Sequence, residues 1–457
     1  MFGGLLKSTS IIALTAVAGL ALGGVGAKAA DLGGDCCADL EERVAELEAT
    51  TARKGNRKVS LTVYGQVTTA VMFWDASRTG GTFNRGLADS RTVDRFSESN
   101  VYVVDPQTSG TRFGFKGDAK ITHDWSAGYR LELQWQNADA TKVRKDNDEG
   151  NDLPEFRQAH WYLKSQTFGK IRVGQADTAN SGIAEIDVSG TNIADGMSSS
   201  QAGAAIISDD ILGPLMDNYE FNRRNVVRYD TPTFAGFILS AAWGEDDIWD
   251  VALRYAGEWW GFKLAGGVAY GQATDNTASL GDGAYTPSNG LNRGQAEPSI
   301  EVLNGGLSMM HVPTGLFATG SGGQRKPTGN VACDNNGNGI PGVTAPRSPA
   351  GNFIPGKNPA SNGGNCEAEW FWFAKAGIKQ RWWSIGSTAL FGMGGEQYDA
   401  IDRSTQFWGL GVVQKVDAAA MDLYVSYRDY YDIDTGYTPA VPEGDFQTVV
   451  AGGRIKF

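Results

Sequence analysis

Strict alternation of apolar and polar side chains, in runs of about ten residues, constrains this chain more than any other feature. In the last stretch, Val449, Ala451, Gly453, Ile455 and Phe457 fall on one face of a strand, while Thr448, Gly452, Arg454 and Lys456 fall on the other. The same period governs Val59, Leu61, Val63, Val67, Val71 and Phe73, with Ser60, Thr62, Tyr64, Gln66 and Thr68 between them. It returns in Tyr129 to Gln136, Trp249 to Tyr255 and Asp422 to Arg428. Soluble β-sandwiches alternate too. Two features favour a closed barrel with lipid outside and water inside. The runs have the length of a tilted membrane strand. Aromatic residues gather at their ends, as in Trp259-Trp260, Trp370 to Phe373 and Trp382-Trp383, where interfacial rings sit.

The expected fold is all-β: a 16-stranded antiparallel transmembrane barrel over residues 59–457. Its strands are expected at 59–74, 109–122, 128–138, 155–166, 169–176, 222–231, 235–244, 249–258, 261–272, 298–312, 315–321, 368–381, 384–397, 405–416, 420–431 and 446–457. Short connections alternate with long ones at 75–108, 139–154, 177–221, 273–297 and 322–367. Segment 98–105, with Val101 and Val103, also reads as strand and is assigned to the first long connection.

Before the barrel come two segments of other character. Residues 1–29 have the form of a signal peptide: Lys7, an apolar stretch Ile11 to Leu22, and Ala27-Lys28-Ala29 for cleavage. The apolar stretch is too short for a helical membrane span, and no later run reaches 18 apolar residues. Residues 30–58 are expected to remain in the periplasm. Within them Leu40, Val44, Leu47 and Thr51 follow heptad spacing, a short helical or coiled-coil stub too brief to be stable alone. Arg53 to Lys58 is a basic linker.

Composition agrees with a barrel. The chain has 61 glycines and 11% aromatic residues, as many strands and tight turns require. Its mean hydropathy of −0.29 resembles a soluble protein, but only alternate barrel residues face lipid. The net charge of −12 argues against nucleic-acid partners. Four cysteines occur in a chain expected to be exported, so pairing is expected. Cys333 and Cys366 bracket a Gly-, Asn- and Pro-rich segment and are expected to form a disulfide. Cys36 and Cys37 are neighbours, and an internal ring between them is strained. Inside the bracketed segment, Asp334, Asn336, Asn338 and the carbonyl of Ile340 match the start of an EF-hand-like loop. Position 12 is Ala345, so the match is incomplete and two readings stand: an Asx-rich turn, and a weak calcium site. No other cofactor is expected.

Several blocks resemble known porins. Thr111 to Gly117, Phe156 to Leu163 and Phe168 to Gln175 resemble the conserved strands of trimeric general porins. Cys36 to Val44, Val312 to Phe317 and Gly452 to Phe457 more closely resemble the alphaproteobacterial porin family. The resemblance covers nearly the whole mature chain. It implies a homotrimer in the Gram-negative outer membrane, in contact with lipid and lipopolysaccharide. It implies passive diffusion of small hydrophilic solutes and ions through water-filled pores. It also implies a third loop folded inward, and recognition of the terminal Phe457 by the barrel-assembly machinery.

In that frame the third long connection, 177–221, is the constricting loop. Its acids Asp177, Glu185, Asp187, Asp195, Asp209, Asp210 and Asp217 would face a basic wall. Alternation turns Lys116, Arg130, Lys170, Arg172, Arg224 and Arg228 toward the lumen to supply it. A basic wall opposite an acidic loop sets a transverse field that favours polar solutes over apolar ones. The charges equally suit a wet lumen in which they pair with one another. Rival functions are a substrate-selective sugar or anion channel and a structural tether to the cell wall through residues 36–58. Catalysis is not expected: of the three histidines, only His160 faces the lumen on a strand, and no phosphate loop or helical zinc motif occurs.

Overall fold

The computed structural model describes residues 58–78, 81–84, 90–93, 95–150, 154–195, 202–207, 217–274, 299–328, 331–333, 339–341, 368–398, 404–434 and 444–457. The expected signal peptide, the heptad segment, Cys36, Cys37, Cys366, Asp209, Asp210, Asp334, Asn336 and Asn338 lie outside the described residues. Cys333 and Ile340 fall on a small hairpin, Val331–Cys333 with Gly339–Pro341.

The sheet is built from β1 (Thr62–Arg78), β2 (Phe96–Val104), β3 (Arg112–Lys120), β4 (Trp125–Gln134), β5 (Glu155–Ser165) and β6 (Gly169–Asp177). It continues with β7 (Arg223–Asp230), β8 (Phe237–Gly244), β9 (Trp249–Trp259), β10 (Phe262–Ala273), β11 (Ser299–His311) and β12 (Leu316–Thr328). It ends with β13 (Glu369–Trp383), β14 (Gly386–Tyr398), β15 (Ser404–Val416), β16 (Met421–Asp434) and β17 (Gly444–Lys456). From β3 onward each strand pairs antiparallel with the next, and β17 returns to β1 from Gln66↔Lys456 to Arg78↔Gly444. β2 and β3 both pair with β1 and together make one stave, so the closed barrel has sixteen. Closure leaves no unpaired sheet edge for lipid to meet.

Burial runs opposite to a soluble sheet. Val67 is 49% exposed beside Thr68 at 0%, and Leu423 is 42% exposed beside Asp422 at 5%. Large aliphatic side chains therefore cover the outside and polar ones the inside, which suits a hydrocarbon solvent. At the short-turn end, Gly315 has φ +68, and a Cβ there would stand 1.8 Å from the carbonyl oxygen of Lys379. Only glycine fits that close approach.

The second stave differs from the sequence expectation. Segment 98–105 belongs to β2 in the wall, and not to the first connection. The register runs Ala70↔Val104 and then Gln66↔Arg112, so residues 105–111 stand opposite only 67–69. Those surplus residues leave the ladder; because they number four, the inward parity is the same on both sides, and a period-two reading carries no mark of the excursion. Pro106 leads into a 3₁₀ turn, Gln107–Ser109. The Thr111 hydroxyl donates to the carbonyl of Thr68 at 3.1 Å and accepts from its N–H at 3.1 Å. It thereby replaces the backbone partner that the excursion removed.

The inner faces of β12 to β17 carry Phe317, Phe371, Phe391, Phe407, Tyr430 and Phe446. They join one apolar cluster with Ile193, Ala194, Ile206, Ile207, Tyr219 and Phe221 from the connection between β6 and β7.

Candidate functional site

The connection between β6 and β7 carries most of the predicted acids. Asp187 heads a turn whose chain curls back over it: the N–H groups of Ser189, Gly190 and Thr191 donate to its carboxylate at 2.9–3.0 Å. Asp195 ends a one-turn helix, α1 (Asn192–Asp195). Both carboxylates meet Lys375 of β13, Asp187 at 3.3 Å and Asp195 in direct hydrogen-bond contact. The Lys375 side chain is 1% exposed and also donates to Thr191 Oγ1 at 2.8 Å and Asn192 Oδ1 at 3.2 Å. Nearby, Val188 N–H donates to Ser308 Oγ of β11, and Lys379 Nζ donates to the Ser189 carbonyl.

The returning half of the connection is held by a second set. Asp217 pairs with Arg325 of β12 at 3.1 Å, and the same guanidinium pairs with Glu369. Arg325 also lies over the Tyr219 ring, whose hydroxyl meets Gln397. At the neck, Asp250 of β9 accepts from the N–H groups of Ala179 and Asn180 at 3.0 and 2.7 Å. Arg254 donates to the carbonyls of Ala179 and Ser181.

Two carboxyls of the connection are displaced upward. Glu220 is buried and accepts from Gly182 and Ala184 N–H; burial, then the charge of Glu185, raises it well above the usual range. Glu185 keeps solvent-exposed surface but has protein around it on all sides. That confinement, and then Asp195, pushes its carboxyl up to about 7. Asp187 goes the other way. Burial alone would raise it, but Lys375 and the turn N–H groups hold it below the ordinary carboxylate range.

The predicted basic residues lie on β3, β4, β6 and β7. Arg130 pairs with Glu132 at 2.6 Å, and Arg112 and Arg157 approach the same carboxylate at 4.0 and 3.0 Å. Lys116 stands over the Tyr64 ring, and Tyr64 donates to Glu132 at 2.8 Å. Arg172 and Arg228 share Asp230, and Lys170 stands over Tyr162. Arg224 lies opposite Ala176 in the register. His160 Nδ1 lies 3.3 Å from the carbonyl oxygen of Gln175. Phe457 pairs its N–H and carbonyl with Gly65, closing the last rung of the barrel.

The structure therefore joins Asp187, Asp195 and Asp217 to Lys375 and Arg325, and joins Arg130 to Glu132 and Arg172 and Arg228 to Asp230. Lys375 was legible: it shares parity with Phe371 and Phe373 in an expected strand. Arg325 lay beyond the expected strand end at 321, because β12 runs on to Thr328. Arg157 has outward parity in the sequence. A register shift between Glu132 and Leu133 turns it in.

Comparison with known proteins follows this geometry. A family model described as Gram-negative porin matches residues 10–308. The major outer membrane protein P.IB of Neisseria sicca is 29% identical over 187 residues, 41% of this chain. The match spans 42% of that relative's length. The anion-selective porin from Comamonas acidovorans has a similar structure, with TM-score 0.51 and 16% identity over 87% of this chain and 100% of its own. The outer membrane channel DcaP of Acinetobacter baumannii matches with TM-score 0.46 and 12% identity over 89% and 99%.

Proposed function

The chain belongs to the Gram-negative porin family, and from that premise we propose that it forms a water-filled channel for passive diffusion of small hydrophilic solutes and ions. It resides in the outer membrane, where the exposed aliphatic band meets lipid. The observation that carries the channel reading is the bond between the β6–β7 connection and the inner wall, Asp187 and Asp195 to Lys375 and Asp217 to Arg325. These contacts support a connection folded into the lumen that narrows it. Its free rim then carries Glu185, facing the arginines gathered around Glu132 on β3 to β5.

A lumen of this kind filters by size at the rim and by charge between the acidic connection and the basic wall. No turnover and no cofactor is needed. We read the assembly as a homotrimer, in which part of the apolar outer band is covered by sister barrels, with lipopolysaccharide around the rest. The motifs at Cys36, Val312 and Gly452 keep the alphaproteobacterial subfamily as our reading within the family. Planar-bilayer recording of the purified protein tests the function. Stepwise conductance, with a reversal potential in a salt gradient, is expected. A protein that inserts and conducts nothing refutes it.

A further inference from the structure

The excursion in the second stave is unusual for a membrane wall. Residues 105–111 occupy the space of three, and the surplus needs somewhere to go. Several bonds fix its course. Asp105 bridges to Asp139, and its side chain accepts from Asn137 N–H at 2.8 Å. Gln66 of β1 donates to the carbonyls of Ser109 and Gly110 at 2.8 and 2.9 Å. Arg454 of β17 donates to Ser109 Oγ at 2.6 Å. Gln66 and Arg454 are on the inward faces of their strands, so the turn they grip lies on the inner side.

The tip of the turn borders two cavities. Pro106 and Thr108 line one of ≈ 40 Å³ together with Ile193 and Ala194 of α1 and with Tyr424 and Val450 of the inner wall. Thr108 also lines one of ≈ 90 Å³ together with Glu185, Asp187, Asp195 and Lys375. Cavities of these sizes hold one to a few waters, and charged side chains border the second. Among the described residues that line the second cavity, Thr108 is the one that comes from neither the β6–β7 connection nor β12 and β13. The wall thus reaches in to meet the connection.

We propose that residues 105–111 are a second constriction element, carried by the wall, and that Thr108 is a size-determining residue of the pore. This rests on the channel reading. The β6–β7 connection closes the lumen from one side, and the 3₁₀ turn sets how far its tip at α1 can approach. A continuous ladder at this point would have removed the stop and widened the passage. The Thr68–Thr111 bonds satisfy the Thr68 backbone where the excursion leaves the ladder.

The test is single-channel recording with substituted cysteines. Thr108→Cys, treated with a cationic methanethiosulfonate, is expected to lose current in discrete steps, one per subunit. Ser126→Cys, on β4 at the wide short-turn mouth, is expected to change little. Wild type treated alike sets the baseline, since the chain has four native cysteines. An adduct at position 108, verified by mass, with no current step overturns the proposal. Failure of the adduct to form also overturns it, because the residue is then not in the solute path. Deleting Pro106 to Ser109 leaves three residues opposite three and is expected to raise the conductance per subunit; equal or lower conductance in the folded variant counts against the proposal. If the deletion does not fold, the Thr108→Cys result decides alone. A wild-type protein without conductance overturns the channel reading and this one together, whereas normal wild-type conductance with an inert position 108 overturns only this one.

Discussion

Replacing Lys375 with Met should release the β6–β7 connection and reverse the sign of its pH dependence. The lysine side chain is 1% exposed, as is that of Asp187, and Asp195 is 6% exposed. Removing one partner of so buried a cluster leaves two carboxylates uncompensated, at a cost of about 3–5 kcal/mol. Much of that is expected as local loosening rather than global unfolding, because the closed barrel keeps its ladder. In wild type the Asp187 carboxyl is held below its ordinary value. Its contribution is therefore complete above the unfolded carboxyl pKa, about 4, and is lost as pH falls through the lower folded value. In Lys375→Met the depressing cation is gone, and burial raises the Asp187 carboxyl. Its ionisation then opposes the packed connection, and the variant should tighten by more than wild type does as pH falls from about 7 to about 5, a range in which Glu185 titrates in both. Bilayer recording reads this directly as open-channel noise and mean conductance. Lys375→Met should be noisier and more conductive at neutral pH and quieter in acid. The triple variant Lys375→Met, Asp187→Asn, Asp195→Asn should recover most of the wild-type trace, since neutral groups need no counter-ion. Wild-type noise and a flat pH response in Lys375→Met would refute the reasoning.

Three further outcomes are expected. Because Glu185 is pushed up to about 7, raising the pH through that value adds a negative charge at the rim; reversal potentials should move toward cation preference, and Glu185→Gln should flatten the change. Gly315→Ala places a Cβ against the Lys379 carbonyl at positive φ and should cost about 1–3 kcal/mol, read as a lower urea midpoint of the folded, heat-modifiable band. Cys333 and Cys366 should appear as one linked peptide in an unreduced digest, a bond worth roughly 3–4 kcal/mol of loop order; free thiols at both positions would remove that link.

Sequence alone determined the architecture, because lipid outside and water inside impose a period of two that survives in every strand. β9, Trp249–Trp259, and β15, Ser404–Val416, fall within a residue or two of the alternating runs that mark them. It also marked which connection would carry the acids. Partnership was another matter. Alternation says which face Lys375 occupies, but not that the chain returning from β6 brings Asp187 and Asp195 to it from 188 and 180 residues away. Arg130, Arg172 and Arg228 could equally have met those acids; Glu132 and Asp230, already on the same wall, took them instead. Tertiary structure also decided both places where a strand departs from its ladder: Arg157, turned in by a register shift, and residues 105–111, turned in by four residues more than the ladder holds. Periodicity is a property of one strand and is written locally. Register between strands, and which charge meets which across the lumen, are set only when the barrel closes.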